Sequence, residues 1–318
     1  MIHGTEDNPG VPSEVLDIPV PDGRHLRVVV RRASPARGVL ILLPAGLKYS
    51  VGPHRLNQKL AREVADLGLM AAFVDPGGYG DSEGSPLAGA TSEVWRSIES
   101  GVLVDDILAA TRTLRSRYPG VPFYISGLCG GAVTAFLAAA RAPDLFAGVI
   151  SFSLAVQVTS IGSAAKPIRS PTFARNLLGA YAQRAFSAAA WGRLFRGEAK
   201  LTGPLHAFSA AALHLLRPAT THTIPGLNSE LCQALRKLAA HQMPQLMVFG
   251  GSDRRHHEFI DASPRGLWGG DSVPDVCRIE TVPHANHEFH FREWQIAAFQ
   301  VVREWVSLRL AGAPSGHP

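Results

Sequence analysis

The chain holds only three cysteines, Cys129, Cys232 and Cys277. They are too few and too scattered to read as a disulfide framework or a thiolate metal site. Their expected state is reduced, which points to a cytoplasmic protein. No window approaches the roughly 18 uncharged apolar residues that a membrane span requires. The opening Met1-Ile2-His3-Gly4-Thr5-Glu6 has neither a basic nor an apolar stretch, so no secretory signal is expected. Also missing are a dinucleotide fingerprint, a metal-ligand cluster and an internal repeat, so no cofactor is expected.

Charge of one sign is only mildly in excess, with 31 Lys+Arg against 26 Asp+Glu and a net +5. The basic residues are spread out. Pairs such as Arg31-Arg32 and Arg254-Arg255 are flanked by acids or apolar residues, and no recognition motif accompanies them. Nucleic acid is therefore not an expected partner, and the charge reads as solvated surface. What the chain does have is apolar residues: 46% hydrophobic against 18% charged, enough for a large buried core.

Val15 to Val20 and Leu26 to Arg32 flank the turn Pro21-Asp22-Gly23 and read as a β-hairpin. The apolar run Val39 to Leu43 suits a buried central strand. Strands and helices then alternate. A helix is expected over about 54–67, a strand over 70–74, and one long helix over about 91–117. Next come a strand over 122–125, a helix over 129–141 and a strand over 149–152. Such alternation implies a mainly parallel sheet with helices on both faces. The rhythm breaks over 155–241, which is Ala- and Leu-rich and without a clear strand. It resumes with strands at 245–249 and 276–280 and a final helix over about 291–310. The expected domains are a core of 1–154 and 242–312, a helical cap of 155–241 inserted after strand 6, and a frayed tail of 313–318. A cap in that place lies over the strand C-termini, where open α/β sheets bind ligands.

The segment Ile125-Ser126-Gly127-Leu128-Cys129-Gly130-Gly131-Ala132 ends a strand and opens a helix. It has the form G-x-C-x-G, the cysteine version of a nucleophile elbow. Small residues are needed there because the nucleophile sits in a strained turn, and Gly127 and Gly131 leave room for strand and helix to close on it. A thiol at a helix N-terminus is also favoured as the thiolate. A structural cysteine beside a Gly-rich turn is the plainer alternative, and the partners argue against it. In an α/β-hydrolase fold the order is nucleophile, acid, histidine. Gly250-Gly251-Ser252-Asp253 follows a late strand, and His284 to Phe289 precedes the last helix. His287 is the expected base and Asp253 the residue that orients it, with His284, His290, Asp261 and Glu258 as rivals. The backbone N–H groups of Gly130 and Leu47 are the expected oxyanion donors. In the cap, Phe173, Tyr181, Phe186, Trp191, Phe195 and Phe208 suit either an apolar substrate roof or helix packing; Tyr181, Phe186 and Trp191 are the substrate-binding candidates.

The stretch Leu43 to Arg55, the turn Asp75-Pro76-Gly77-Gly78-Tyr79-Gly80-Asp81-Ser82-Glu83-Gly84 and the triplet Gly127-Leu128-Cys129 resemble the hydrolases associated with exosortase A systems. So do Tyr181 to Arg184 and Trp191 to Leu194. The likeness spans roughly 38–300. Gly130 stands where that family usually carries an acid. The turn at 75–84 is a feature of the fold rather than a phosphate loop, since it lacks the G-K-[ST] ending.

A thiolate in such a site attacks esters and thioesters, so the expected chemistry is acyl hydrolysis or transfer. The expected partner is a small-molecule acyl substrate, free or carried on a carrier protein; the oligomeric state stays open. Two other readings remain. One is elimination of an acyl group such as acetate, by analogy with hydrolase-fold proteins of tetronate-type polyketide pathways. The other is a hydrolase-fold binding protein without turnover. The Ala- and Arg-rich composition fits a high-GC bacterial source and a biosynthetic pathway.

Overall fold

The computed structural model describes residues 13–158 and 226–312. Tyr181, Phe186 and Trp191, like most of the expected cap, lie outside the described residues.

Two strands with alternating exposed and buried side chains form one border of the sheet: β1 (Ser13–Pro19) and β2 (His25–Arg31). They pair antiparallel, Ser13 opposite Arg31 through Pro19 opposite His25. The next strands are buried along their whole length, as continuous apolar runs demand. They are β3 (Gly38–Leu42), β4 (Leu69–Val74), β5 (Phe123–Leu128), β6 (Gly148–Phe152) and β7 (Gln245–Gly250). With β8 (Cys277–Val282) they complete an eight-stranded sheet of order β1-β2-β4-β3-β5-β6-β7-β8. Every pairing from β4 onward to β8 is parallel, while β2 runs antiparallel to β4.

Seven α-helices lie among the described residues: α1 (Leu56–Glu63), α2 (Thr91–Glu99), α3 (Val104–Arg117), α4 (Gly130–Arg141), α5 (Ser229–Ala240), α6 (Arg254–Trp268) and α7 (Arg292–Gly312). They fall into two groups. One joins α1 to α7; the other gathers α2, α3 and α5 around α4, with α6 against α5.

Three expectations change. The single helix of 91–117 is two, because Gly101 adopts φ 93 and the chain turns between Glu99 and Val104. The helix of 54–67 shortens to α1 between two 3-10 turns, since His54 and Arg55 take left-handed conformations. At the end of the expected cap, α5 is a core helix: Leu231, Leu235 and Leu238 are fully buried against α4 and α6. Helix α6 was not expected, because Pro264, Gly266 and Gly269 interrupt its pattern; Asp253 caps its start and Gly269 (φ 80) ends it.

One apolar cluster runs the length of the sheet. A second, smaller cluster of Tyr79, Val94, Ile98 and Leu103, with Leu87 and Trp95 against it, sits beside the strand C-termini.

Candidate active site

Strand β5 gives way to α4 at Cys129, whose backbone is bent to φ 55, ψ −114. Neighbouring residues have to be glycine for that bend to close. A Cβ on Gly127 would lie 2.3 Å from the Gly131 carbonyl, and one on Gly131 would lie 2.1 Å from the Pro44 oxygen. The Cys129 N–H is held by the Phe152 carbonyl at 3.0 Å, which ties the elbow to β6. The result is a nearly buried thiol, 9% exposed, at the N-cap of α4.

The loop after β8 carries His287. Its Nδ1 lies 2.9 Å from Oδ2 of Asp253, and the ring stands beside the Cys129 thiol. With Nδ1 committed to the carboxylate, it is Nε2 that remains for the sulfur. Asp253, 3% exposed, stands at the N-cap of α6, where its Oδ1 also accepts the Arg255 N–H at 3.0 Å.

Charge follows geometry. Burial opposes a thiolate at Cys129. The hydrogen bond and charge of His287, the charge of Arg255 and the Gly130 N–H outweigh it and hold the thiol below its ordinary value. Burial likewise opposes a charged His287, yet Asp253 and Cys129 push it up to about 10. Asp253 is held below the usual carboxylate range against burial, by His287, Ser153 and the Arg255 N–H. Both shifts favour the state in which the proton rests on the imidazole and the sulfur is anionic. The other two thiols go the opposite way: burial raises Cys232, and pushes Cys277 up to about 12.

The structure thus brings Cys129, His287 and Asp253 together, and directs the rivals elsewhere. His284 is exposed, with φ 61. The His290 ring lies against His54, Nδ1 to Nε2 at 3.0 Å. Glu258 is taken by Arg254 at 3.1 Å and Arg255 at 2.9 Å. Asp261 lies farther along α6.

Opposite the elbow, the loop after β3 turns at Gly46 (φ 65), whose N–H is used on the Pro44 oxygen at 2.9 Å. A Cβ on Gly130 would lie 3.4 Å from the Gly46 Cα, so this loop and the start of α4 nearly touch. Leu47 follows directly and is partly exposed. Its neighbour Lys48 pairs with Glu288, the residue after His287. Glu288 also lies 3.3 Å from Nε2 of His54. The turn at 75–84 supports this loop, because Asp75 accepts the Ser50 N–H at 2.7 Å.

Sequence reasoning missed three residues here. Ser153, fully buried with φ 48, donates from Oγ to the His287 carbonyl at 3.1 Å and lies close enough to Asp253 to help hold its carboxylate charged. Arg255 contributes a mostly buried guanidinium, tied to Glu258, whose charge reaches the thiol. Trp95 lays its indole against both Gly46 and Gly130. Only Ser153 and Arg255 had a signal to offer, as polar residues close after a predicted strand; Trp95 had none.

Among the described residues, no group of three or more His, Cys, Asp or Glu is placed to hold a metal ion. No helix among them is long and apolar enough to cross a membrane.

The family described as serine aminopeptidase, S33 matches residues 35–293. Human monoglyceride lipase is 31% identical over 132 residues, 42% of this chain and 40% of that protein. A monoglyceride lipase homolog of monkeypox virus is 31% identical over 116 residues, 36% of this chain and 39% of that protein. The match thus spans about two fifths of these relatives' length. Dienelactone hydrolase from Anabaena variabilis has the same fold, with a TM-score of 0.53 at 14% identity over 93% of this chain and 96% of that one. The chain belongs to the serine aminopeptidase S33 family and has the α/β-hydrolase fold.

Proposed function

Starting from that membership, we propose that this protein is an esterase that cleaves carboxylic esters, and thioesters by the same route, through a covalent acyl-Cys129 intermediate. One observation carries the reading: a thiol held below its ordinary pKa on a strained elbow, beside an imidazole whose Nδ1 lies 2.9 Å from a buried carboxylate.

In this mechanism the Cys129 thiolate adds to the ester carbonyl carbon, forming a C–S bond while the carbonyl π pair moves to oxygen. The N–H groups of Gly130 and Leu47 receive that oxyanion. As it collapses, the C–O bond breaks and the His287 imidazolium gives its proton to the departing alkoxide. Asp253 keeps the ring oriented and offsets its charge throughout. Water then attacks the acyl-thioester with neutral His287 taking its proton, and the thiolate departs from the second tetrahedral adduct. The products are the carboxylic acid and the alcohol. A pre-formed thiolate needs no base in the first half, and this is the difference from a serine nucleophile. Membership of a hydrolase family favours this route over elimination of an acyl group and over binding without turnover. A substrate bound to a carrier protein and a role in a bacterial biosynthetic pathway extend the same reading.

The test is mass spectrometry of protein quenched during turnover of p-nitrophenyl acetate. An acetyl mass on the Cys129 peptide, absent from Cys129→Ala, is expected. Turnover without acylation of that peptide, or no turnover at all, would sink the mechanism. Hydrolysis in heavy-oxygen water adds a second arm, because the released acid must carry one solvent oxygen.

A further inference from the structure

The residue after a nucleophile points its side chain beside the spot where the acyl carbonyl docks. Here that residue is Gly130, and another side chain has taken its space. A Cβ on Gly130 would lie 2.7 Å from Cζ3 of Trp95 and 3.2 Å from Cγ2 of Ile98. On the facing loop, a Cβ on Gly46 would lie 2.4 Å from Cη2 of the same indole. One ring edge therefore abuts both segments that flank the oxyanion position.

Trp95 is well anchored there. It projects from α2 beside Val94 and Ile98, 5% and 0% exposed, and packs on the small cluster with Tyr79 and Leu103 rather than on the main core. Its own side chain is only partly buried. The sheet order says on which side of the site it lies. Ser153, Asp253 and His287 follow β6, β7 and β8, on one side of the elbow after β5, whereas Gly46 follows β3 and α2 follows β4 on the other. A leaving group protonated by His287 must lie on the β6–β8 side. The acyl chain is left with the β3–β4 side, where the indole stands.

We infer that Trp95 is a specificity-determining residue: its indole is the end wall of the acyl side of the site and restricts the enzyme to short acyl groups. This inference rests on the esterase reading for its substrate class, but the wall itself does not depend on turnover. It also gives the two glycines a reason, since any side chain at Gly130 would need the ring to leave.

The experiment compares the wild type with Trp95→Ala and Trp95→Phe on p-nitrophenyl acetate, butyrate, hexanoate and octanoate. The octanoate-to-acetate ratio of kcat/KM should rise about tenfold or more in Trp95→Ala and less in Trp95→Phe, because each methylene admitted to an apolar pocket is worth roughly that much. In parallel, N-alkyl iodoacetamides of rising chain length are used to alkylate Cys129, a reading of access that needs no hydrolysis. The long reagents should gain on the short ones in both variants. Gly130→Ala should be slow in the wild-type background and recover in Trp95→Ala. Unchanged ratios in both ladders would overturn the wall while leaving an active esterase intact. A responsive alkylation ladder with no ester turned over would do the reverse, upholding the wall and refuting the esterase. If Trp95→Ala does not fold, Trp95→Phe decides on the same ladders.

Discussion

The two ends of the parallel sheet spend their glycines and their strain differently. At the N-terminal ends of the strands, glycine makes room for neighbouring bulk. A Cβ on Gly148 would lie 2.6 Å from Cη2 of Trp305, and one on Gly38 would lie 2.7 Å from Cδ2 of Leu69. At the C-terminal ends the backbone itself is bent. Of the non-glycine residues with positive φ among the described residues, His54, Arg55, Cys129, Ser153, His284 and Phe289 all follow a strand's C-terminal end, and only Gln242 precedes a strand. Packing explains the first end. It does not explain the second, because each such conformation costs about 1–3 kcal/mol and persists only where the surroundings enforce it. Strain gathered at one rim marks where the residues were chosen for chemistry.

The sharpest way to break that contrast is Cys129→Gly. Catalysis should fall by about 10,000-fold or more as the proposed nucleophile is lost. Yet the urea midpoint should not fall, because about 1–3 kcal/mol of relieved strain offsets the packing of one small side chain. A clear loss of stability would mean that the bend is not strained. Asp253→Asn comes next, with kcat down roughly 1,000- to 10,000-fold, since the amide favours the wrong tautomer of His287. The sign of its pH effect follows from the site. The imidazolium is what lowers the thiol, and without the carboxylate His287 holds its proton less well. The thiol then rises, so the acid limb of Cys129 alkylation must move to higher pH; a limb that stays put would show that Asp253 does not act through His287.

Trp305→Ala probes the other end of the sheet. Trp305 is 1% exposed, packs edge-on against Tyr124 at 5.9 Å and carries the Arg309 guanidinium 3.6 Å above its ring. Its truncation should cost about 3–5 kcal/mol in denaturant unfolding. The pH profile of Cys129 alkylation in the folded protein should stay where it is. The smallest effect expected is that of Ser153→Ala: kcat down by about tenfold with KM unchanged, as the hydroxyl that holds the His287 backbone is lost. If KM moved instead, Ser153 would belong to substrate binding rather than to the alignment of the triad.

What could be read without coordinates follows the same division. Strands β3 to β7 were legible because burial on both faces makes them continuous apolar runs. The proximity of Cys129, Asp253 and His287 was legible because the fold imposes an order on these three positions. Helix boundaries were not, where a single residue overrode the pattern: Gly101 split one expected helix, and Pro264 hid α6 by sitting inside it. Residues that act across the fold left a faint local trace or none. Ser153 is a serine after a strand until its Oγ is found under His287, and Trp95 is an aromatic on an amphipathic helix until it is found against two glycines from other loops.

The pairing of Lys48 with Glu288 has a consequence for how this rim operates. One partner is next in the chain to Leu47, the other to His287, so a single ion pair spans the loop proposed to receive negative charge and the loop that carries the imidazole. Displacing either loop must drag or break the other's tether. In the proposed mechanism this one tether would couple the loop that accepts an electron pair to the loop that relays a proton.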